Sequence, residues 1–336
     1  MLKSGCKVLV TGGSGFVGSN LVERFIAEGF QVRNFDLIKP KKNVSGDFEH
    51  VHGDICSKRE VLSAMNGCKA VFHLAADPKL WRKKRSYYHL INNIGARTVL
   101  DAGLESKLDL VVHISTESIL TSRKHQGEIG ENQLVGVQDS IGAYCRSKMR
   151  AELYALGLGK KGAPVLVLNP TLPIGPGDYG LCPPSRMIID VCNNGRREFI
   201  EGDLNLADVR DIANGILLAA RMGEPGRRYI LSGHNRTIEQ VFGIIAKLRN
   251  LPRPDRKIPY IFALAFAVAS EFWSDFVSGE QPQANVTGVL LTRRIMRFQE
   301  DVALRKAGWQ IRPLEESLVD ALVWFENNGF VRKMNM

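Results

Sequence analysis

Three residues in the middle of the sequence have side chains suited to moving a proton: Thr116, Tyr144 and Lys148. Tyr144 and Lys148 are four positions apart, so on a helix they share one face. A phenol has a pKa near ~10 and acts as a base at neutral pH only when a cation lowers that pKa. Lys148 would provide such a cation. Because tyrosine–lysine pairs at this spacing are common by chance, their meaning depends on the surrounding elements.

Those elements would bring the three residues together. Residues 110–115 form an apolar run that predicts a buried strand, with Thr116 at its end. Tyr144 and Lys148 lie in a predicted helix over residues 144–157. The Thr116 hydroxyl and the Tyr144 phenol would then reach the same substrate oxygen.

A glycine-rich turn opens the chain. The apolar start of V-L-V-T-G-G-S-G-F-V-G (residues 8–18) predicts a strand, and a helix is predicted from Ser19 to about Glu28. The first two glycines of the G-x-x-G-x-x-G pattern would let the backbone approach a pyrophosphate, and the third would let the helix pack on the strand. A bare structural turn is the alternative, but the strand and helix favour a dinucleotide site. The predicted contacts are Gly12, Gly15, Phe16, Val17 and Gly18.

The next predicted strand ends in an acid that bears on the choice of dinucleotide. Residues 31–36 end in Asp36, which lies 18 residues after Gly18. A carboxylate there would accept hydrogen bonds from the adenosine ribose and repel a 2′-phosphate, which favours NAD. In the alternative, Asp36 caps a turn, and Arg33 or the basic run 39–42 holds the phosphate of NADP.

Two further strand ends would border the cofactor. Residues 50–54 predict a short strand that ends in an acid near the adenine, and residues 70–76 predict a strand that ends in small residues. Small side chains would let the cofactor pass close to the backbone. The predicted contacts at these two strand ends are Asp54, Ile55, Leu74, Ala75 and Ala76.

The alternation of strands and helices predicts an α/β fold. We expect a doubly wound parallel sheet of the Rossmann type, with a smaller C-terminal substrate-binding lobe over the crevice at the strand ends. The dinucleotide-binding domain is predicted over residues 1–170, with residues 203–232 returning to the sheet. Residues 171–202 and 233–336 are predicted to form the lobe.

The composition limits the class of partner. The formal net charge of +10 favours anionic or membrane-surface partners. No aromatic-interleaved motif accompanies the short basic runs, so no nucleic-acid partner is predicted. Six cysteines without CxxC spacing predict reduced thiols in the cytoplasm, and the isolated histidines predict no metal site. The residues before the first predicted strand are too few for a signal peptide.

Several motifs occur in an order typical of one enzyme family. From about Lys7 onward the chain resembles the extended short-chain dehydrogenases/reductases of the NAD-dependent epimerase/dehydratase family. It is most similar to the dihydroflavonol-reductase-like or hopanoid-associated sugar epimerase groups, with 3β-hydroxysteroid dehydrogenases as relatives. The motifs are T-G-G-S-G-F-V-G, G-D-I (53–55), H-L-A-A (73–76), N-N-I-G (92–95), I-S-T (114–116), Y-C-R-S-K (144–148), N-P-T-L-P-I-G-P (169–176), D-V-R-D-I-A (208–213) and W-F-E-N-N-G-F (324–330).

The resemblance implies a role for each matching residue. Tyr144 would be the acid/base on a substrate hydroxyl or carbonyl, Lys148 would also bind the nicotinamide ribose, and Thr116 would donate to the substrate oxygen. The reaction would be hydride transfer at C4 of the nicotinamide. Asn92 would contact the cofactor or support the active-site strand. Pro170 and Leu172 would line the nicotinamide.

Two departures from the family patterns narrow the reaction. Sugar dehydratases follow the threonine with Asp and Glu, whereas Glu117 and Ser118 stand here, and a serine cannot abstract a carbon-bound proton. Glu117 is either a second acid/base or a polar strand-end residue. Nucleotide-sugar epimerases carry an arginine where this chain has Leu204. The arginines that would substitute, unless they are surface charges, are Arg196, Arg197 and Arg210.

Residues 259–277 are almost wholly apolar over their first twelve positions. The uncharged length of this stretch is well short of the ~20 residues that span a bilayer, and Glu271 and Asp275 follow at once. One interpretation is a buried helix of the lobe. The other is a helix at a membrane surface, or one that walls a pocket for an apolar substrate.

Three hypotheses remain. The first is an NAD(P)-dependent oxidoreductase for a secondary alcohol or ketone of a hydrophobic alicyclic small molecule, such as a sterol or isoprenoid. Oxidation beside a β-carboxylate would then permit decarboxylation. The second is an NAD-dependent sugar epimerase or reductase, and the third is a non-catalytic dinucleotide sensor, which has no need of all three proton-transfer residues. We also expect a homodimer, by family analogy, through helices near 96–105 and 144–157.

Overall fold

A seven-stranded parallel sheet forms the centre of the molecule. The computed structural model describes residues 2–332. Met1 and residues 333–336, which the predicted domain ranges include, lie outside the described residues. The strands of all sheets are β1 (Lys7–Thr11), β2 (Gln31–Asp36), β3 (Phe48–His52), β4 (Ala70–His73), β5 (Leu110–Ile114), β6 (Val165–Pro170), β7 (Leu172–Ile174), β8 (Glu198–Phe199), β9 (Asp203–Asp208), β10 (Arg228–Leu231), β11 (His234–Thr237) and β12 (Arg256–Lys257). The strand order in the central sheet is β10-β6-β5-β4-β1-β2-β3.

Helices cover both faces of this sheet, because consecutive strand residues alternate between the faces. The helices are α1 (Phe16–Ala27), α2 (Lys58–Met65), α3 (Ser86–Tyr88), α4 (Ala96–Glu105), α5 (Gly142–Lys160), α6 (Pro183–Asn194), α7 (Val209–Met222), α8 (Ile238–Leu248), α9 (Tyr260–Trp273), α10 (Val286–Leu291), α11 (Val302–Lys306) and α12 (Leu314–Asn327). Val8 and Val10 pack on the side of α1 and α7, whereas Leu9 packs on the side of α2, α4 and α5. The predicted doubly wound fold is confirmed.

The lobe contains two small sheets. Strands β11, β9 and β7 form one, which packs with α6, α8 and α12 around a separate apolar cluster. The sequence predicts that residues 203–232 return to the main sheet. Helix α7 and strand β10 do return, but β9 pairs with β7 and β11 instead. The chain therefore enters the lobe's sheet before it returns to the main one.

Several boundaries differ from the predicted ones by a few residues. Helix α1 begins at Phe16 rather than Ser19, so the last glycine of the turn is already helical. Strand β4 ends at His73 and β3 at His52, so residues 74–76 and Asp54 lie in the loops that follow. The helical stretch 86–105 begins before the predicted dimer helix near 96–105 and contains a π-helical segment, His89–Gly95.

The apolar segment 259–277 is not a buried helix. Only Ala263 and Ala267 of α9 are buried, and a π-helical segment, Ser274–Ser278, continues it. The interpretation as a buried lobe helix is therefore wrong.

Candidate active site

Strand β5 and helix α5 bring the three proton-transfer residues together. Thr116 follows β5 in an extended conformation, with φ −158° and ψ 151°. Helix α5 carries Tyr144 and Lys148 one turn apart, and the Lys148 Nζ donates to the Ile114 carbonyl at 2.8 Å. The carboxyl end of β5 is thus held between a threonine hydroxyl and the tyrosine–lysine face of α5.

Burial sets the protonation of the phenol. It raises the pKa of Tyr144 above its usual value, the neighbouring Cys145 and Glu117 raise it further, and a hydrogen bond with Thr116 opposes only part of this. Burial also lowers the pKa of Lys148 to about 8, partly offset by Glu152. The predicted lowering of the phenol pKa by a nearby cation concerns the protein with oxidised NAD bound and stays a prediction.

Glu117 is a buried carboxyl directly beside Thr116. The Thr116 hydroxyl donates to Glu117 Oε2 at 2.8 Å and lies 3.2 Å from the Ser118 hydroxyl. Burial raises the pKa of Glu117 to about 7, against the opposing hydrogen bonds. Near neutral pH this group therefore exchanges between a carboxylate that holds the threonine proton and a carboxylic acid that can donate its own.

A polar network behind the site was missed by sequence reasoning. Asn169 donates to the Thr116 carbonyl at 2.9 Å and to Glu152 Oε2 at 2.6 Å. Glu152 forms a buried ion pair with Arg228 at 2.6 Å. The position of Glu152, four residues after Lys148 on α5, was a signal for it, whereas nothing in the sequence joins it to Arg228 on β10.

Tyr88 is a second residue that the sequence did not single out. Its ring lies edge-to-face against Tyr144 at 6.2 Å between centroids. Within residues 2–332 its buried hydroxyl has no hydrogen-bond partner. A phenol so placed can accept or donate to a group that enters beside Tyr144.

Asn92 supports the site from behind. Its side chain accepts from the Asp77 backbone N–H at 2.7 Å, and it donates to the Asp77 carbonyl and to Ser147 Oγ. It thereby ties the loop after β4 to helix α5. Both predicted roles of Asn92, contact with the cofactor and support of the active-site strand, stay predictions, since its observed partners lie on the loop and on helix α5.

The glycine-rich turn leaves room that side chains would fill. Gly12 has φ +74°, and a Cβ there would lie 2.6 Å from the Ala75 nitrogen. A Cβ on Gly18 would collide with the Gly12 carbonyl, whereas Gly15 is less crowded. Helix α1 has neither a side-chain cap nor an acid in its first turn, so its N-terminal N–H groups are available to an anion. These features fit the pyrophosphate of a dinucleotide.

Asp36 lies beside this turn. Its carboxylate accepts hydrogen bonds from the backbone N–H groups of Ser14 and Ile38, each at 3.1 Å. Two of the cations that would hold a 2′-phosphate are engaged elsewhere, since Arg33 binds Glu49 and Lys42 binds Glu23. The geometry therefore leaves a carboxylate where an adenosine ribose would lie.

The other predicted cofactor residues lie in loops at the same edge of the sheet or next to it. Asp54 accepts from the Cys56 N–H, and Ile55 is buried against Gly95. The Leu74 N–H donates to the Thr11 carbonyl, which holds the following loop to β1. The rest are placed by the first turn of α1 (Phe16, Val17), the loop after β4 (Ala75, Ala76), the end of β6 (Pro170) and the start of β7 (Leu172).

The comparison with known families covers both the glycine-rich turn and the threonine–tyrosine–lysine cluster. The model described as the NAD dependent epimerase/dehydratase family matches residues 8–232. The chain belongs to this family. Membership confirms the predicted family and enzyme class, and it confirms NAD as the cofactor of that family.

Several relatives of this epimerase/dehydratase chain match it over nearly the whole of both sequences. The "Putative dihydroflavonol 4-reductase" of Synechocystis is 30% identical over 329 residues, which cover 96% of this chain and 95% of that protein. The "Sterol demethylase protein B" of Methylococcus capsulatus is 26% identical over 328 residues, which cover 96% and 99%. The crystal structure of gox2253 has a TM-score of 0.83 at 28% identity and covers 97% of this chain and 99% of that one.

The arginines that would grip a sugar diphosphate in this epimerase/dehydratase are engaged with carboxylates. Leu204 occupies the position predicted for the missing arginine, on strand β9. Each possible substitute has its own acidic partner. These pairs are Arg196 with Asp190, Arg197 with Asp255, and Arg210 with both Asp208 and Asp320.

Proposed function

We propose that this chain transfers a hydride between NAD and a carbon that carries a hydroxyl or keto group on an apolar ring system of the sterol or isoprenoid class. The observation that carries the proposal is the convergence of Thr116 and Tyr144 at the end of β5, with Lys148 bound to a carbonyl of the same strand. One substrate oxygen can be held by the threonine while the phenol moves its proton.

The residues divide the work as follows. When bound, NAD supplies the hydride acceptor and, in its oxidised form, a positive charge next to the phenol. Tyr144 takes the hydroxyl proton during oxidation and returns it during ketone reduction, and Thr116 holds the oxygen. Lys148 keeps a cation beneath the phenol and would bind the nicotinamide ribose. The turn Gly12–Gly18 and Asp36 would hold the pyrophosphate and the adenosine ribose.

Glu117 tunes the donor that holds the substrate oxygen. While its carboxylate accepts the Thr116 proton, that proton is not available to the substrate. Once Glu117 is protonated, it can donate to Thr116 Oγ1 and free the threonine hydrogen. The balance changes near pH 7, because burial raises the pKa of Glu117 to about 7.

Two observations favour an apolar substrate over a nucleotide sugar. Position 204 lacks an arginine, and Arg196, Arg197 and Arg210 are paired with acids. The names of the two curated relatives refer to a dihydroflavonol and to a sterol, both of which are multi-ring compounds. Where the substrate carries a carboxylate β to the new ketone, the carbon–carbon bond breaks, CO₂ leaves, and the electron pair passes to an enolate that is then protonated.

A substrate panel tests the proposal. The purified protein is mixed with NAD or NADP and with sterols, flavonoids or nucleotide sugars, and the absorbance of the reduced cofactor is followed. We expect net NADH formation with a ring secondary alcohol. A sugar epimerised without net NADH, together with NAD released on denaturation, would replace this proposal with the epimerase hypothesis.

A further inference from the structure

Helix α9 and its π-helical continuation have their polar and apolar sides reversed relative to an ordinary surface helix. In residues 260–278 the side that faces the protein carries small and acidic residues, with Tyr260 and Leu264 half-buried beside them. The ten exposed positions before Ser278 are all apolar. They are Ile261, Phe262, Ala265, Phe266, Val268, Ala269, Phe272, Trp273, Phe276 and Val277, and we refer to them as the α9 face.

The inward side is fixed to the body of the protein. Ala263 and Ala267 pack on Val289 of helix α10. Glu271 accepts from the Val286 N–H at 2.8 Å. Asp275 accepts from Trp81 Nε1 at 3.1 Å and pairs with Arg85 at 2.9 Å. These contacts hold the helix against the body of the protein along its length. Its two acids are paired on the inward side, away from the α9 face.

Among residues 2–332, basic side chains without an ion-pair partner lie at both ends of the α9 face. Near its C-terminal end, the loop that binds Asp275 carries Lys79, Lys83 and Lys84, all exposed and none in an ion pair within residues 2–332. At its N-terminal end, Arg293 stacks on the Tyr260 ring at 5.0 Å. Glu280 is an opposing charge just past the helix, but the three lysines outnumber it.

We propose that the α9 face binds the surface of an anionic lipid bilayer, with residues 260–278 lying in the interface. Phenylalanine, tryptophan and valine side chains would enter the acyl boundary, and the lysines of the 79–84 loop would contact anionic headgroups. By length and composition this is the one helix in the described part of the chain that could cross a membrane. Its fixed inward side makes it lie on the surface instead.

A second copy of the chain fits this face less well. A two-fold contact through antiparallel helices would bring the lysine end of one copy against the arginine end of the other. Such like-charge contacts oppose association. An anionic surface, in contrast, complements both ends at once.

The position of the α9 face also suits the proposed function. The route of substrate entry described next rests on that function. The segment that binds Asp275 through Trp81 continues to Tyr88, whose ring contacts Tyr144. A bilayer-borne ring substrate would reach the phenol from the lipid side. The binding of lipid itself does not depend on any reaction.

Vesicle flotation tests the proposal. The full chain is mixed with vesicles of phosphatidylcholine and phosphatidylserine (about 7:3) or of phosphatidylcholine alone, and its partition is measured. We expect flotation with the anionic vesicles. A triple Phe262→Ser, Phe272→Ser, Phe276→Ser variant should lose at least ~100-fold in partition, because three exposed phenylalanines no longer enter the bilayer.

Matched variants separate the alternatives. Leu134→Ser, Val302→Ser and Val323→Ser together remove three exposed apolar side chains elsewhere and should leave flotation unchanged. Lys83→Glu with Lys84→Glu should weaken binding to anionic vesicles by roughly tenfold or more. Flotation that survives the triple phenylalanine variant would overturn the proposal. A wild-type chain that binds neither kind of vesicle would also overturn it. So would a light-scattering mass that shows a wild-type dimer which only the triple phenylalanine variant dissociates. Each readout is independent of turnover.

Discussion

Helices α1 and α9 are both rich in apolar residues, yet they turn those residues in opposite directions. In α1 the side chains of Leu21, Val22 and Phe25 are buried against the parallel sheet and helix α7. In α9 only two alanines are buried, and the phenylalanines point away from the protein.

The difference comes from what each helix packs against. Helix α1 lies on a sheet whose apolar side chains fill the space beneath it. Helix α9 meets the protein through small residues, through the half-buried Tyr260 and Leu264, and through acids that bind Trp81, Arg85 and a backbone N–H. The apolar composition of a helix therefore does not determine whether its side chains are buried in the protein. That depends on the residues of the protein against which the helix packs.

The largest effect on the free energy of unfolding should come from a substitution in the interior, where helix α1 packs on the central sheet. Phe25 is 0% exposed and packs on the rings of Phe30 and Phe72, at 5.3 and 4.6 Å between centroids. Phe25→Ala should lower the free energy of unfolding by about 3–5 kcal/mol, through lost burial and a cavity. Denaturant titration measures this value. A loss below about 1 kcal/mol would contradict the contrast between the two helices.

Glu117→Gln should change how stability depends on pH. The pKa of Glu117 in the folded protein is about 7, above the ordinary 4.5, because the side chain is buried. Between these values the folded state binds more protons than the unfolded state, so wild-type stability falls as pH rises. The free energy of unfolding of Glu117→Gln minus that of the wild type should therefore be about 3 kcal/mol larger at pH 8 than at pH 4.5.

Thermal unfolding at both pH values measures this increase. Glu280→Gln, at an exposed position, is the matched control for the loss of a carboxyl. Equal differences between the Glu117→Gln variant and wild type at the two pH values would show that Glu117 is not buried as a carboxylic acid.

At the rim of the site, Asp36→Ala should relax the choice of dinucleotide. The carboxylate would repel a 2′-phosphate, so its removal should shift the ratio of NADP to NAD affinity by about 10–100-fold. Isothermal titration with both cofactors gives that ratio. Asp47→Ala is a control at an exposed acid, and a ratio that moves equally in the two variants would exclude Asp36 as the discriminating group.

The smallest effect should come from the α9 face. Phe272 is 61% exposed, so Phe272→Ala should change the free energy of unfolding in the absence of lipid by no more than about 0.5 kcal/mol. The same denaturant titration as for Phe25→Ala makes the comparison direct. A loss comparable to that of Phe25→Ala would mean that this face is packed in solution.

The fold of the first half could be predicted from the sequence because its strands, turn and helices are indicated by residues that are close together in the chain. The strand, glycine turn and helix at residues 7–27 follow one another, and strand β2 was predicted with its observed bounds. The π-helical segment His89–Gly95, by contrast, differs from an α-helix only in a hydrogen-bond partner that lies five rather than four residues away, and this leaves no periodic signal in the sequence. The pairing of β9 depends on β11, which lies beyond β10 in the chain.

The site was predictable only in part for the same reason. Tyr144, Lys148 and Glu152 share a helix face, whereas the partner of Glu152 is Arg228, 76 residues away. Burial, which controls the pKa of Tyr144, depends on all the elements around it. The direction of the α9 face depends on Trp81 and Arg85, 194 and 190 residues from Asp275.

The rate of hydride transfer in Tyr144→Phe, measured together with NAD affinity, tests the central claim most directly. Removal of the proton carrier should lower turnover of a ring alcohol by about 100–10,000-fold, while NAD affinity stays within about twofold. Tyr154→Phe, at a tyrosine on the same helix that binds Asp101, should leave turnover unchanged. Unchanged turnover in Tyr144→Phe would contradict the account.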